Sequence, residues 1–500
     1  MPILENPRHE LFAQELAKGN SSSEAYVLAG YKPSRKNAAR LRANEGVKAR
    51  LAELQAVSAR STAITIESIC AELDQANQVA MSRGQAAAMV SASTLRAKLG
   101  GLMIERVEVG SPDAFDEAET IEDVIEATCS SGYRLIMQPL SGLLVLDFTT
   151  LLPGPLASLM LAEAGAEVLK IERPGGEDTR RFLPSYDGES APFAMLNRGK
   201  KSLTLDLKSE ADREKLIPLI KRADILMEQF RPGVMSRLGF GYEDVRSINP
   251  RLIYCSISGY GQSGPRVDEA GHDINYIGNT GLLDLQPGPL DAPVVPPMLA
   301  ADIAGGSFPA VINILLALRA RDQSGQGCRL DIAMTDAMFT FGWAALALGA
   351  ATGKFPKPGE HWLVGGSPRY QIYPAKDGKL VACGALEQKF WAAFTKAIGL
   401  PAEFVNDPRD PKTTREAVAK LIAARTSDEW RPIFAVADCC TTIVVPLEQA
   451  IRDPHFVERG LFDHKVETAS GKTIPALPLP IAPEFRDKPG AKKAPKLEKN

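Results

Sequence analysis

Three residues in the second half of the chain have the type and setting for proton chemistry. His272 sits in Ala270-Gly271-His272-Asp273-Ile274-Asn275-Tyr276, after a glycine and before an acid. Asp302 sits in Leu299-Ala300-Ala301-Asp302-Ile303-Ala304-Gly305-Gly306, where an apolar helix is expected to begin. Glu387 closes Gly384-Ala385-Leu386-Glu387 at the end of an apolar strand. An imidazole titrates near working pH, so it can both take a proton and return it. A helix N-terminus favours a carboxylate by roughly 0.3–1 kcal/mol when exposed, and adjacent glycines let a ligand approach the backbone. Each residue also has a plainer reading: a loop histidine, a helix cap, and a cap of the next helix. The sequence alone does not bring the three into one pocket.

The elements that must carry them alternate. The apolar runs 143–148, 166–172, 202–207, 223–230, 251–261 and 328–334 read as strands. Helices are expected between them at 155–164 and 209–222, then at 302–320 and 335–351. Strand–helix alternation implies a parallel sheet covered on both faces. A hairpin turning at Lys376-Asp377-Gly378 over 369–385 and helices at 388–398 and 413–424 suggest a smaller α+β unit. The first turn, Thr149 to Pro155, lacks a GxGxxG fingerprint, which argues against a dinucleotide site.

The 500 residues imply more than one domain, and 45% hydrophobic content supports a sizeable core. A net charge of −3 gives no chain-wide attraction to nucleic acid. The seven cysteines are scattered and there is no CxxC, which favours a reduced, cytoplasmic setting over disulfides or structural zinc. No signal peptide or membrane span is expected. The expected segments are a helical stretch over 1–110, an acidic linker over 111–139, and a large domain over 140–340. A small domain follows over 341–450, then a return to the large domain over 451–485 and a disordered tail over 486–500. Between 111 and 132 stand seven acids and no base.

From about 140 onward the motifs resemble the alpha-methylacyl-CoA racemases of the family III CoA-transferase superfamily. The segments, in order, are LPGPLASLMLAEAGAEVLKIERPGG, LNRGKKSLTLDLK, EQFRPGVMSRLGFG, NPRLIYCSISGYGQSGP, AGHDINYIGNTG, LLALRARDQSGQGCRLDIAM and DGKLVACGALEQKFW. The resemblance implies a Rossmann-like parallel-sheet domain plus a smaller α+β domain. It implies inversion of the carbon next to an acyl-CoA thioester, with Asp302 serving one face and His272, oriented by Glu387, the other. It implies CoA contacts at Arg173, Thr204, Leu205, Asp206 and Leu207, at Arg231, and at Ala270, Gly271, Asp273, Ile274 and Asn275. The cluster Arg198, Lys200 and Lys201 is a further candidate for phosphate contact. No metal and no cofactor beyond the CoA moiety is implied, and an interlocked homodimer is expected. Transferases of the superfamily use an aspartate at the Asp302 place as nucleophile. They typically lack the histidine, so His272 together with Glu387 favours the racemase.

Residues 7–57 fall outside that pattern. Short helices broken at Gly19-Asn20 and Gly30-Tyr31-Lys32-Pro33, then one helix over about 34–60, resemble the helix-turn-helix part of phage terminase small subunits. Over residues 1–60 ten Lys/Arg face six Asp/Glu, a net of +4. This charge is compatible with DNA contact, and a DNA-binding protein with a vestigial enzyme domain is the third reading.

Overall fold

The computed structural model describes residues 6–17, 22–42, 44, 46–51, 138–288 and 291–497. The expected acidic linker and residues 43, 45 and 52–60 of the expected third N-terminal helix lie outside these residues. Two compact units divide near residue 127.

The first unit is helical: α1 (Pro7–Ala17), α2 (Ser22–Leu28) and α3 (Arg35–Arg42). Phe12, Ala13, Leu16, Ala25 and Ala29 form its core, with Tyr26 stacked on Tyr31. Buried Glu10 is held by Arg50 at 2.9 Å. The single helix expected over 34–60 is broken instead. The Asn44 side chain accepts the amides of Gly46 and Val47 at 3.1 and 3.3 Å, which starts a new helical segment over 46–51. Lys36, Arg40 and Arg42 are exposed on α3.

The second unit is built on a six-stranded, all-parallel sheet. Its strands are β1 (Leu144–Asp147), β2 (Glu167–Glu172), β3 (Lys201–Thr204), β4 (Ile225–Glu228), β5 (Ile253–Ser258) and β6 (Arg329–Ala333). Their order is β3-β2-β1-β4-β5-β6. The helices are α4 (Pro153–Glu163), α5 (Glu210–Arg222), α6 (Tyr242–Ile248), α7 (Asp273–Asn279) and α8 (Phe308–Ser324). Side-chain alternation along β1 splits the core in two. Val145 packs with Ala157 and Leu161 of α4 and with Ala310 and Ile314 of α8. Leu144 and Leu146 pack with Leu216 and Ile220 of α5 and Val245 of α6. The result is a three-layer α/β/α stack, and each fully buried aliphatic contributes roughly 1.5–3 kcal/mol.

The helix expected over 335–351 is interrupted at Gly342, giving α9 (Met334–Phe341) and α10 (Trp343–Thr352). The smaller α+β layer follows. Antiparallel β7 (Tyr370–Pro374), β8 (Leu380–Gly384) and β9 (Thr441–Ile443) pack on α11 (Gln388–Ile398), α12 (Pro411–Ile422) and α13 (Ser427–Ala437). Trp391, Phe394, Trp430 and Phe434 fill its core.

The chain then returns to the first layer with β10 (Lys465–Glu467) and β11 (Thr473–Pro475). The expected disordered tail carries a strand, β12 (Ala491–Lys493), paired in parallel with β10. Its polar composition is offset by this pairing and by ionic anchors. Fully buried Glu163 lies 3.7 Å from both Arg486 and Lys492, and 3.2 Å from buried Arg198.

Helix Ala301–Ser324 is, among the described residues, long and apolar enough to cross a membrane. Here it lies on the sheet with Ala310, Ile314, Ala317 and Leu318 in the core.

Candidate active site

A cleft of about 420 Å³ opens at the carboxyl ends of β1, β4, β5 and β6. In parallel sheets ligands bind there, at the point where strand order reverses, and β1 and β4 are that point here. The loop after β1 supplies Leu151 and Pro153, and the loop after β4 supplies Gln229 to Pro232. The end of β5 supplies Ser258 to Tyr260, and Met334 follows β6. His272 and Asp302 both face this cleft, with Arg231, Ala270, Gly271 and Asn275.

Asp302 does not lie in a regular α-helix. It stands in a π-helical turn, Ala301–Ser307, that leads into α8. Wide turns of this kind recur at functional sites. Gly305 and Gly306 let the turn sit tight: a methyl group at 305 would lie 2.5 Å from the Met334 carbonyl oxygen, and one at 306 would lie 3.0 Å from Pro153 Cβ. The Asp302 amide donates to Oδ1 of Asp273 at 2.9 Å. Burial and, next, the charge of Asp273 push the Asp302 carboxyl up to about 6, while His272 pulls it down.

His272 stands at the start of α7. Its amide donates to Oδ1 of Asn275 at 3.0 Å, and the Asn275 amide donates back to its carbonyl at 2.8 Å. The ring is exposed, and no described side chain hydrogen-bonds it. Tyr276 lies one turn along, and its hydroxyl donates to the Gly271 carbonyl, pinning the glycine loop. Burial and then the nearby Asp302 push this phenol up to about 12.

The other expected site residues are placed differently. Glu387 is exposed at the N-terminal end of α11 and is not part of the cleft. Arg173 is an exposed arginine paired with Asp178 at 2.7 Å. Thr204 ends β3, and Leu205 is buried in the core against α5. The Asp206 amide donates to Asp212 at 2.8 Å, and Leu207 packs on the same core. Arg173 and residues 205–207 follow the carboxyl ends of β2 and β3, so they share a rim with the cleft. Arg231 has no carboxylate partner among the described residues. Asp273 is buried, and Ile274 is exposed beside it.

The basic cluster at 198–201 is mostly internal, not a phosphate surface. Lys200 is fully buried, 3.2 Å from Asp147, with Ser158, Asn197 and the Pro155 carbonyl at 2.8–2.9 Å. Burial lowers its ammonium to about 8 against the pull of Asp147. Burial opposes ionisation of Asp147, but the charges of Lys170 and Lys200 and two hydroxyls hold it well below the carboxylate range. Lys170 in turn donates to the Thr149 carbonyl at 2.7 Å, and Glu177 accepts the Leu151 amide at 3.1 Å. The network therefore holds the β1–α4 loop that walls the cleft.

Gln229, Tyr260 and Glu269 also line the cleft, although no role was expected of them. Gln229 accepts the Gly154 amide at 3.0 Å and ties two walls together. Its place inside EQFRPGV was the available signal.

Residues 140–500 match the profile of CoA-transferase family III. The chain belongs to CoA-transferase family III. This family III chain is 35% identical to the alpha-methylacyl-CoA racemase of Homo sapiens over 358 residues, which is 70% of this chain and 90% of that protein. It is 33% identical to the acetyl-CoA:oxalate CoA-transferase of Acetobacter aceti over 372 residues, 71% of this chain and 92% of that protein. A crystal structure of a CAIB/BAIF family protein from Brucella suis superposes with a TM-score of 0.60 at 32% identity. It covers 72% of this chain and 96% of that one. The family III match begins at residue 140 and leaves the N-terminal helices outside it.

Proposed function

We propose that the protein is an acyl-CoA racemase acting on 2-methylacyl-CoA thioesters. The observation that carries this reading is that an imidazole and a carboxylate raised to about 6 share one cleft. The carboxylate of Asp302 takes the proton from the α-carbon. The C–H electron pair moves onto the thioester oxygen as an enolate. The His272 imidazolium then delivers a proton to the opposite face, and the roles exchange for the other enantiomer. Each such group contributes on the order of 10²–10⁴-fold. The Asp302 amide is occupied by Asp273, and the Asn275 amide by the His272 carbonyl, so the enolate oxygen is served by the amides of Asp273 and Ile274 at the start of α7. CoA lies along the rim from Arg231 toward Arg173 and residues 204–207.

Glu387 orients His272 only if a second copy supplies it, which fits a homodimer. Ile312, Leu316, Phe341, Trp343 and Trp362 are about half or more exposed in the single chain. Apolar surface on this scale suits a partner subunit.

The test is deuterium uptake at the α-carbon from D₂O across a panel of acyl-CoA thioesters. Exchange is expected in the wild type, with a loss of at least about 10²-fold in His272→Ala and in Asp302→Ala. No exchange with any thioester sinks the racemase. The similarity to the Acetobacter transferase supports a second reading, with Asp302 as the acyl-accepting nucleophile. That reading expects CoA exchange between two acids and an adduct trapped by hydroxylamine at Asp302.

A further inference from the structure

The buried carboxylate of Asp273 has an unusual position. It is 5% exposed, has no ion-pair partner among the described residues, and accepts a hydrogen bond from the backbone of a second acidic residue. That bond runs from the Asp302 amide to Asp273 Oδ1 at 2.9 Å. It ties the first turn of α7, which carries His272, to the π-helical turn that carries Asp302. No described donor bonds the Asp302 carboxylate itself. A buried acid left unpaired beside a second acid is costly unless it serves a purpose.

We propose that Asp273 is a positioning residue acting through Asp302, holding its backbone by the amide and keeping its side chain a proton acceptor by like charge. This rests on the proton-transfer reading for its purpose, but not for its physics. Two adjacent carboxylates cannot both ionise easily, so one is held more basic than it would be alone. The direction of the Asp302 shift agrees, with Asp273 second only to burial as its cause.

The groups around Asp302 define what else acts on it. From α7 and its start come His272, Asp273 and Tyr276. Arg231, Tyr260 and Glu269 line the same cleft. On the packed elements, Asp336 of α9 is exposed and Arg329 and Asp331 lie on β6. Glu163 ends α4, and Arg319, Arg321 and Asp322 stand near the far end of α8. Of these, Asp273 and His272 are the ones whose charge shifts Asp302.

The experiment compares the full-length wild type with Asp273→Asn, which keeps an oxygen for the Asp302 amide and removes the charge. Carbodiimide labelling of the Asp302 carboxyl is followed against pH by peptide mass spectrometry, since the protonated acid reacts. The labelling midpoint is expected to fall by about one pH unit, a tenfold loss of proton affinity. The acid limb of kcat/KM for α-proton exchange moves the same way. Asp273→Ser, which also offers an oxygen without charge, carries the same comparison if Asp273→Asn does not fold. An unchanged midpoint in a folded variant overturns the inference, even if α-exchange persists. A shifted midpoint with no α-exchange in the wild type leaves the inference standing and removes the racemase.

Discussion

A carboxylate kept near neutrality places the needs of chemistry and of folding in opposition at one residue. Asp302 is raised from an ordinary 3.8 to about 6. A raised acid favours the fold in its protonated form. That contribution is complete below pH 3.8 and is lost as pH rises through 6. The base needed for proton abstraction exists above pH 6, so exchange activity is expected to fall tenfold per pH unit below that point. Asp302→Asn abolishes exchange but removes the buried charge. It is expected to raise stability at pH 8 by on the order of 1 kcal/mol after solvent screening, with the gain gone at pH 4. Melting curves at the two pH values check this; equal gains at both would refute it. The residue types were legible in sequence because His272, Asp302 and Arg231 sit inside dense motifs. The grip of Asp273 on Asp302 was not, because a hydrogen bond between residues 29 apart has no signature in spacing.

Elements were legible where the apolar period was unbroken. Five of the six strands fall within the runs read as strands, β3 starts one residue early at Lys201, and the helix read over 388–398 matches Gln388–Ile398. Legibility failed where a local device overrode the pattern. Asn44 restarts a helix with its side chain, Gly342 breaks another, and a π-helical turn replaces the start of a third. The tail was misread because composition reports burial and cannot report a waiting partner strand. Removing residues 486–500 takes β12 from β10 and both Arg486 and Lys492 from buried Glu163. Stability is expected to drop on the order of 3 kcal/mol, as when a buried ion pair is broken. Urea unfolding measures it; a disordered tail would leave the midpoint where it was.

At the scale of the whole molecule, the chain alone holds two of the three expected groups in one cleft. Glu387 belongs to the smaller layer and faces solvent. If a second copy supplies it, His272→Ala and Glu387→Ala are complementary defects. Co-expressing the two variants is expected to restore roughly a quarter to a half of the exchange activity that neither shows alone. Recovery of none would place Glu387 outside the reaction. No sequence pattern could reveal this division, since it depends on which surfaces meet between copies.

The turn at 301–307 has one more implication. Gly305 abuts the Met334 carbonyl and Gly306 abuts both Pro153 and the Met334 side chain, and Pro153 and Met334 both line the cleft. A single methyl there would act as a wedge against them. The cleft could therefore be reshaped from behind its lining, without touching a reacting group.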